Sequence, residues 1–180
     1  MGANIHQVGV FLINILIFLY VLCFMLRFLL QLVRADFYNP LSQALVKITN
    51  PVLKPFRRVI PGYFGVDVAA LVIMFLLEVF KVVVIFGVLG GYALSAGPVV
   101  LFSLRALFVM AIEIYFWSIL LQAVLSWVNS GSYNPFTSIL YSLNEPILRP
   151  ARRILPPMGG IDFSPILVMI VLQVIRILIS

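Results

Sequence analysis

Four long apolar runs alternate with more polar stretches along this chain. Each run holds enough apolar residues in succession to predict a helix that crosses a membrane, and the runs cover about residues 8–33, 68–89, 99–128 and 163–179. The stretches 34–67 and 129–162 mix apolar with polar and basic residues. The pattern therefore predicts two pairs of spans, each pair joined by a segment outside the hydrocarbon core.

Each joining segment predicts a short amphipathic helix at the membrane surface. Apolar residues recur there at i, i+3, i+4 and i+7, over a length too short to cross a bilayer. Asn39 before Pro40 is typical of a helix start. Asn50 before Pro51 indicates a second start, and Pro55 predicts a kink or another new start.

The two joining segments are copies of one another. Residues 38–67 align without a gap with residues 133–162, and 12 of the 30 positions are identical. The spans before them align at the same offset of 95 residues. We therefore expect an all-α membrane protein of four transmembrane helices in two parallel tandem repeats, 1–95 and 96–180, each of the form span, amphipathic interfacial helices, span.

Basic residues collect on one face of each amphipathic segment. A helix that is apolar on one side and basic on the other lies in the membrane interface, where each cation near an anionic leaflet contributes about 1 kcal/mol. The candidates for contact with lipid or a partner are Lys54, Arg57, Arg58, Arg149, Arg152 and Arg153. Asp67 and Asp162 close the two copies and are expected to cap the helices that follow.

The distribution of basic residues predicts the orientation. Most of them lie in the two repeated loops or at their edges, and the connection between the repeats has none. By the positive-inside rule both loops face the cytoplasm, which puts both termini outside.

Six ionisable side chains fall within the apolar runs, where each costs about 2.5–3.5 kcal/mol on insertion scales. Counting residues from the cytoplasmic ends predicts a polar cluster near the midplane, formed by Glu78, Lys81, Glu113 and Arg176. Arg27 and Arg105 lie nearer the ends and are expected to snorkel. The cluster is either a path for an ion or proton, or a set of buried ion pairs that fixes how the repeats dock.

Composition excludes several other functions. Hydrophobic residues make up 63% of the chain and charged residues 10%, which is typical of a membrane protein. The net charge of +6 sits mostly in the short loops, so we expect lipid head groups and no nucleic acid as its partner. Cys23 and His6 are the chain's one cysteine and one histidine, so we expect no disulfide, metal site, cofactor or catalytic set.

The doubled motif Asn-Pro, Pro-x-Leu-(Lys or Arg)-Pro-x-Arg-Arg and Gly-x-Asp, set between apolar spans, resembles the YggT family of bacterial inner-membrane proteins. The resemblance covers nearly the whole chain, and its most specific part runs from Pro146 to Arg153 and on through residues 158–165. It implies a small, non-enzymatic protein of the plasma membrane, connected with osmotic stress, ion balance or cell division. Chloroplast relatives are connected with cytochrome assembly and nucleoid organisation.

Two functions follow from these observations as hypotheses. The first is a scaffold or assembly factor that presents its basic loops to anionic lipid or to a membrane-protein partner, with a role in envelope, osmotic-stress or ion homeostasis. The second is a small oligomeric ion channel or transporter that uses the charges within the spans. A homo-oligomer is compatible with both.

Overall fold

The computed structural model describes residues 2–63, 65–128, 134–155 and 162–179. These residues are helical, with one isolated β-bridge between Tyr63 and Val66 and no strand among them. The helices are α1 (Gly2–Leu32), α2 (Pro40–Val59), α3 (Val68–Val82) with the π-helical segment Val83–Leu89 directly after it, α4 (Ala96–Val128), α5 (Pro135–Ile154) and α6 (Ser164–Ile179).

Three of the predicted spans are long and apolar enough to cross a membrane. They are His6–Leu32 with 27 residues, Val68–Leu89 with 22 and Ala96–Ser126 with 31. The fourth, α6, is apolar but has only 16 residues, which rise about 24 Å against a hydrocarbon core of about 30 Å. The described part of the chain is thus all-helical, with three helices able to span a bilayer and one shorter apolar helix.

Helices α2 and α5 are the two amphipathic segments, and each is a single helix of 20 residues. The predicted new start at Pro51 is therefore wrong, because α2 continues through both Pro51 and Pro55, as α5 does through Pro146 and Pro150. All four prolines are exposed. Since they lie on the open side of the helix, the carbonyl groups that lose their N–H partners there can be solvated.

Local signals explain where several helices begin and end. Arg34 has a φ of 56°, and the N–H groups of Ala35 and Arg34 return to Leu30 and Gln31, which is a Schellman motif at the end of α1. Between α2 and α3 the chain turns at Gly65, whose φ of 82° suits glycine. Asp67 then caps α3.

The chain divides into two compact units. The first comprises residues 1–28 and 48–108, and the second residues 29–47 and 109–180. Residues 29–47 belong to the first sequence repeat but to the second unit.

Each unit has its own buried apolar residues. In the first, Phe24, Leu53 and Met74 are fully buried. In the second, a buried core is formed by residues of α4, α5 and α6, namely Ile119, Leu148, Ala151 and Val168. Burial of one amphipathic face in this way stabilises helices whose prolines would otherwise weaken them.

Candidate functional site: two basic helices and the charges behind them

The same arginine–aspartate pair occurs at the end of both amphipathic helices. Arg57 donates from Nε and Nη2 to Asp67 Oδ2, with Nε at 3.2 Å. In the second repeat Arg152 donates from Nε to Asp162 Oδ2 at 2.9 Å. Both pairs join positions ten residues apart, so each arginine ties the last turn of its helix to the start of the next helix.

The aspartates also accept bonds from the helices they precede. Asp67 Oδ1 accepts from Ala70 N at 3.3 Å, and Asp162 Oδ1 accepts from Ser164 N at 2.9 Å. Each carboxylate thus binds a helix N-terminus with one oxygen and a guanidinium with the other. These are charge-assisted hydrogen bonds, which are stronger than neutral ones.

The hydrogen bonds of the second copy shift the pKa values of Asp162 and Arg152. Burial alone would raise the pKa of Asp162, but the hydrogen bonds from Ser164 and Arg152 outweigh it, and the pKa lies below its ordinary value. The hydrogen bond to Asp162 is the main cause that raises the pKa of Arg152, and Glu145 adds to it. Both groups are therefore charged at neutral pH.

The second copy has an additional acidic partner. Arg152 Nη1 donates to Glu145 Oε2 at 2.8 Å, so its guanidinium holds two carboxylates. The residue at the equivalent position of the first copy is Asn50. The extra carboxylate makes the second basic face less positive than the first.

These contacts divide the six predicted lipid or partner residues into two groups. Arg57 and Arg152 are held within the protein by their aspartates. The other four are exposed and form no ion pair with any residue that the structure describes: Lys54, Arg58, Arg149 and Arg153. They occupy positions i and i+4 of each helix, so each repeat presents one pair of neighbouring cations, which we call the open cation pair.

Arg27 is enclosed by its contacts with α2. It is only 9% exposed and donates from Nη1 to Thr49 Oγ1 at 2.5 Å and to Asn50 Oδ1 at 3.0 Å. Two side chains of α2 therefore accept hydrogen bonds from the guanidinium, and its extension to the membrane surface stays a prediction.

The second repeat has a neutral version of this contact. Asn144 Nδ2 donates to Gln122 Oε1 at 2.8 Å, and Ser118 Oγ donates to Asn144 Oδ1 at 2.7 Å. Gln122 and Asn144 occupy the positions equivalent to Arg27 and Thr49. The spacing of polar residues at both positions in both repeats was the signal that could have revealed these contacts from the sequence.

The four residues of the predicted midplane cluster form two ion pairs. In the first unit, Lys81 Nζ lies 2.6 Å from Glu78 Oε2 on the same helix. In the second unit, Arg176 Nε lies 2.9 Å from Glu113 Oε1, which joins α6 to α4. Each unit thus neutralises its own pair, and a single cluster of four stays a prediction.

The remaining described residues were compared with the requirements of a catalytic or metal site. His6 lies near the start of α1, with Nε2 2.9 Å from the carbonyl oxygen of Leu89. Within the described ranges, no three His, Cys, Asp or Glu side chains come together as a metal ion would need.

Comparisons with known proteins agree with the doubled motif. The CCB3/YggT family matches the chain twice, over residues 6–88 and 101–180. An uncharacterized protein of Pseudomonas aeruginosa is 39% identical over 181 residues, covering 98% of this chain and 90% of the relative. The uncharacterized protein YggT of Escherichia coli K12 is 40% identical over 168 residues, covering 92% and 86%.

A protein of Vibrio alginolyticus, described as an uncharacterized protein of the proC 3' region, is 41% identical over 164 residues, covering 91% of this chain and 88% of the relative. No solved structure matches the chain. Because the family matches both halves and these relatives match nearly end to end, the chain belongs to the CCB3/YggT family.

Proposed function

We propose that this chain is a non-enzymatic scaffold or assembly factor of the bacterial inner membrane. Helices α2 and α5 lie along the cytoplasmic surface and hold anionic lipid or a partner through their open cation pairs. A role in envelope, osmotic-stress or ion homeostasis is what the family resemblance adds to this proposal.

The observation that carries the proposal is the duplicated open cation pair. Lys54 and Arg58 occupy the positions equivalent to Arg149 and Arg153, and all four are exposed. The arginine between each pair is neutralised by an aspartate, so it shapes the loop and adds little to the outward charge. Two cations near an anionic leaflet together contribute about 2 kcal/mol.

The lipid test compares variants that remove equal charge from one loop. Lys54→Gln/Arg58→Gln removes the first open cation pair, whereas the control Arg34→Gln/Lys47→Gln removes two other exposed cations of that loop. Binding of phosphatidylglycerol to the purified full chain is measured by native mass spectrometry. We expect about thirtyfold weaker binding for the first variant, from the ~2 kcal/mol above, and a small change for the control.

Equal weakening in both variants would contradict the proposal, because binding would then follow the total charge of the loop and not the open cation pair. The equivalent variant Arg149→Gln/Arg153→Gln repeats the test in the second repeat. Its effect is expected to be smaller, since Glu145 already lowers the charge of that face.

The proposed topology has four spans, with both basic loops in the cytoplasm and both termini outside. It is supported by the charge distribution and by three span-length helices. It requires α6 to cross with only 16 residues, and local thinning of the bilayer accommodates such short helices. An alkaline phosphatase fused after Ser180 is expected to be active, and cytoplasmic activity of a reporter at that position would refute four spans.

The second candidate is a small channel or transporter. It is favoured by Glu78, whose side chain is fully buried in an apolar helix beside Lys81, because ionisable groups inside spans mark ion or proton paths. Ion flux through the chain in liposomes is the test, with Glu78→Gln and Lys81→Gln as variants and Arg105→Gln as the control. Flux that falls only in the first two would favour this candidate over the scaffold.

A further inference from the structure

The carboxylate of Glu113 holds two helices and an aromatic ring together. Its Oε1 binds Arg176 Nε at 2.9 Å, and its Oε2 accepts from Trp117 Nε1 at 3.0 Å. Arg176 Nη1 also donates to Gln173 Oε1 at 3.3 Å. We call these four residues, Glu113, Trp117, Gln173 and Arg176, the Glu113 cluster.

The Glu113 cluster is open, whereas its counterpart in the other repeat is enclosed. The side chains of Arg176 and Glu113 are 43% and 28% exposed. Those of Lys81 and Glu78 are 16% and 0% exposed, although Lys81 occupies the position equivalent to Arg176. Trp117 is more than half exposed.

The depth of the cluster makes this exposure costly. Glu113 lies in the middle of α4, 17 residues after Ala96 and 15 before Val128, which places it near the centre of a hydrocarbon core of about 30 Å. A charged side chain near the centre of a bilayer costs about 2.5–3.5 kcal/mol on insertion scales, and such groups face protein rather than lipid. An ion pair left open at this depth therefore needs a protein cover.

We propose that a second copy of this chain covers the Glu113 cluster, and that the face of α4 and α6 around it is the interface of a homodimer. The inference depends on α6 lying in the bilayer, and it goes beyond the proposed scaffold function by naming a partner and its surface. Copies inserted in the same orientation meet across a two-fold axis along the membrane normal, so each copy offers the same face.

The chemistry of the cluster suits its own copy. A guanidinium has five N–H donors, and the two bonds described above leave donors of Arg176 to spare. Each carboxylate oxygen of Glu113 can accept a further bond. Placed across the axis, the Arg176 of one copy and the Glu113 of the other close an alternating ring of two cations and two anions.

The surroundings of the cluster fit an intramembrane interface. Ile170 and Ile177 are 57% and 71% exposed and lie together on one side of α6, about 100–120° around the helix from Arg176. The opposite side of α6 packs on the buried core of the unit through Val168. An exposed tryptophan beside a charged pair, ringed by apolar side chains, is typical of protein contacts rather than of a lipid-facing surface.

The first test is disulfide cross-linking of the full chain in liposomes at a low protein-to-lipid ratio. In a Cys23→Ala background, a cysteine at Ile177 is on the proposed interface and one at Leu178 points away from it, while both positions are well exposed. We expect at least fivefold more dimer from Ile177→Cys than from Leu178→Cys. Equal yields, or none from either, would overturn the proposal.

The second test uses charge and separates loss of dimer from loss of fold. Glu113→Arg and Arg176→Glu alone each place like charges together and are expected to reduce dimer at least tenfold, as counted by single-molecule photobleaching. The double variant Glu113→Arg/Arg176→Glu restores every pair with the charges exchanged and is expected to recover the dimer. A monomeric native chain, or single variants as dimeric as the native chain, would overturn the assignment.

The outcome is distinguishable from failure of the scaffold proposal. Lipid binding by the open cation pairs does not depend on the Glu113 cluster. A monomer that still binds phosphatidylglycerol would therefore contradict the homodimer proposal and leave the scaffold proposal intact. A reporter after Ser180 that is active in the cytoplasm would remove the premise that α6 crosses the bilayer.

Discussion

Asn39 donates from Nδ2 to the carbonyl oxygen of Pro135 at 2.7 Å, which ties the start of α2 to the start of α5. Its Oδ1 accepts from Leu41 N at 3.0 Å and caps α2. The Asn39 side chain is only 3% exposed, and it both caps the N-terminus of α2 and links the two sequence repeats. Asn134, its equivalent, caps α5 through Phe136 N at 2.9 Å but is exposed.

The two asparagines are a matched pair for mutation. Asn39→Ala and Asn134→Ala each lose a cap, at about 1 kcal/mol. Asn39→Ala also removes the hydrogen bond to the half-buried Pro135 carbonyl, which adds about 0.5–1.5 kcal/mol. We expect Asn39→Ala to destabilise the chain clearly more, as measured by unfolding in mixed micelles.

A third variant separates the two bonds of Asn39. Asn39→Asp keeps the oxygen that caps α2 and removes the donor to Pro135, so we expect it to lose the link but not the cap. Equal losses for Asn39→Ala and Asn134→Ala would mean that the link between the helix starts contributes no stability.

The Arg152–Asp162 pair predicts a dependence of stability on pH. The pKa of Asp162 is lower in the folded chain than its ordinary value of 3.8, so folding favours the ionised carboxylate. The contribution is complete above about pH 5 and is lost as the pH falls through the lowered pKa. Because both side chains are about one-third exposed, we expect about 1 kcal/mol or less.

The measurement is the free energy of unfolding between pH 7 and pH 3. Asp162→Asn is expected to be less stable than the native chain at pH 7, with the difference shrinking below pH 4. Arg152→Gln is expected to flatten the pH dependence in the same direction, since it removes the partner that holds the charge. An Asp162→Asn chain with the native slope would show that the pair does not set the acid response.

Arg34 predicts a stabilising substitution. It has a positive φ of 56° at the end of α1, where residues other than glycine are strained by about 1–2 kcal/mol. Arg34→Gly removes the strain but raises the conformational entropy of the unfolded chain. We therefore expect the free energy of unfolding to rise by about 0.5–1 kcal/mol. Arg34→Ala removes the same charge and keeps the Cβ, and no comparable gain is expected from it.

Thermal unfolding in detergent compares the two Arg34 variants directly. The Schellman hydrogen bonds from Arg34 and Ala35 are main-chain bonds and stay in both variants. If Arg34→Ala stabilises as much as Arg34→Gly, charge and not backbone strain sets the effect.

Elements that rest on local sequence were predictable. The apolar runs predicted α1, α3 and α4, because a span needs only about 20 successive apolar residues. The amphipathic period predicted α2, although the rule that proline starts or breaks a helix misplaced a boundary at Pro51. The helix is continuous there because its prolines face outward while Leu53 is fully buried on the other side.

Partnerships between helices were not predictable in the same way. Whether Arg27 binds α2 depends on which face of α1 meets Thr49, and no pattern within α1 alone encodes that. The pairing of Arg57 with Asp67 likewise depends on the turn through Gly65. Depth counting predicted that Glu113 and Arg176 lie level, but not that their pair is open while that of Glu78 and Lys81 is enclosed.

The neutral contact of the second repeat predicts a larger loss than any surface change. Asn144 is completely buried and bonds Gln122 and Ser118. Asn144→Ala leaves Gln122 Oε1 without its donor, at about 1–3 kcal/mol before relaxation, whereas Ser118 Oγ keeps its bond to the Tyr115 carbonyl at 3.0 Å. Ser142→Ala is the control on the same helix, because Ser142 Oγ bonds only the backbone of its own helix, at Ser138 O, and we expect at most a small change.

The double variant Asn144→Leu/Gln122→Leu tests whether an apolar pair can replace the buried polar pair. Replacing both polar partners by apolar groups of similar size is often nearly neutral. We expect it to recover most of the stability lost in Asn144→Ala, measured as free energy of unfolding in mixed micelles. Recovery would mean that the contact serves to satisfy buried polar groups. A double variant as unstable as Asn144→Ala would instead mean that hydrogen bonding between α4 and α5 stabilises the second unit directly.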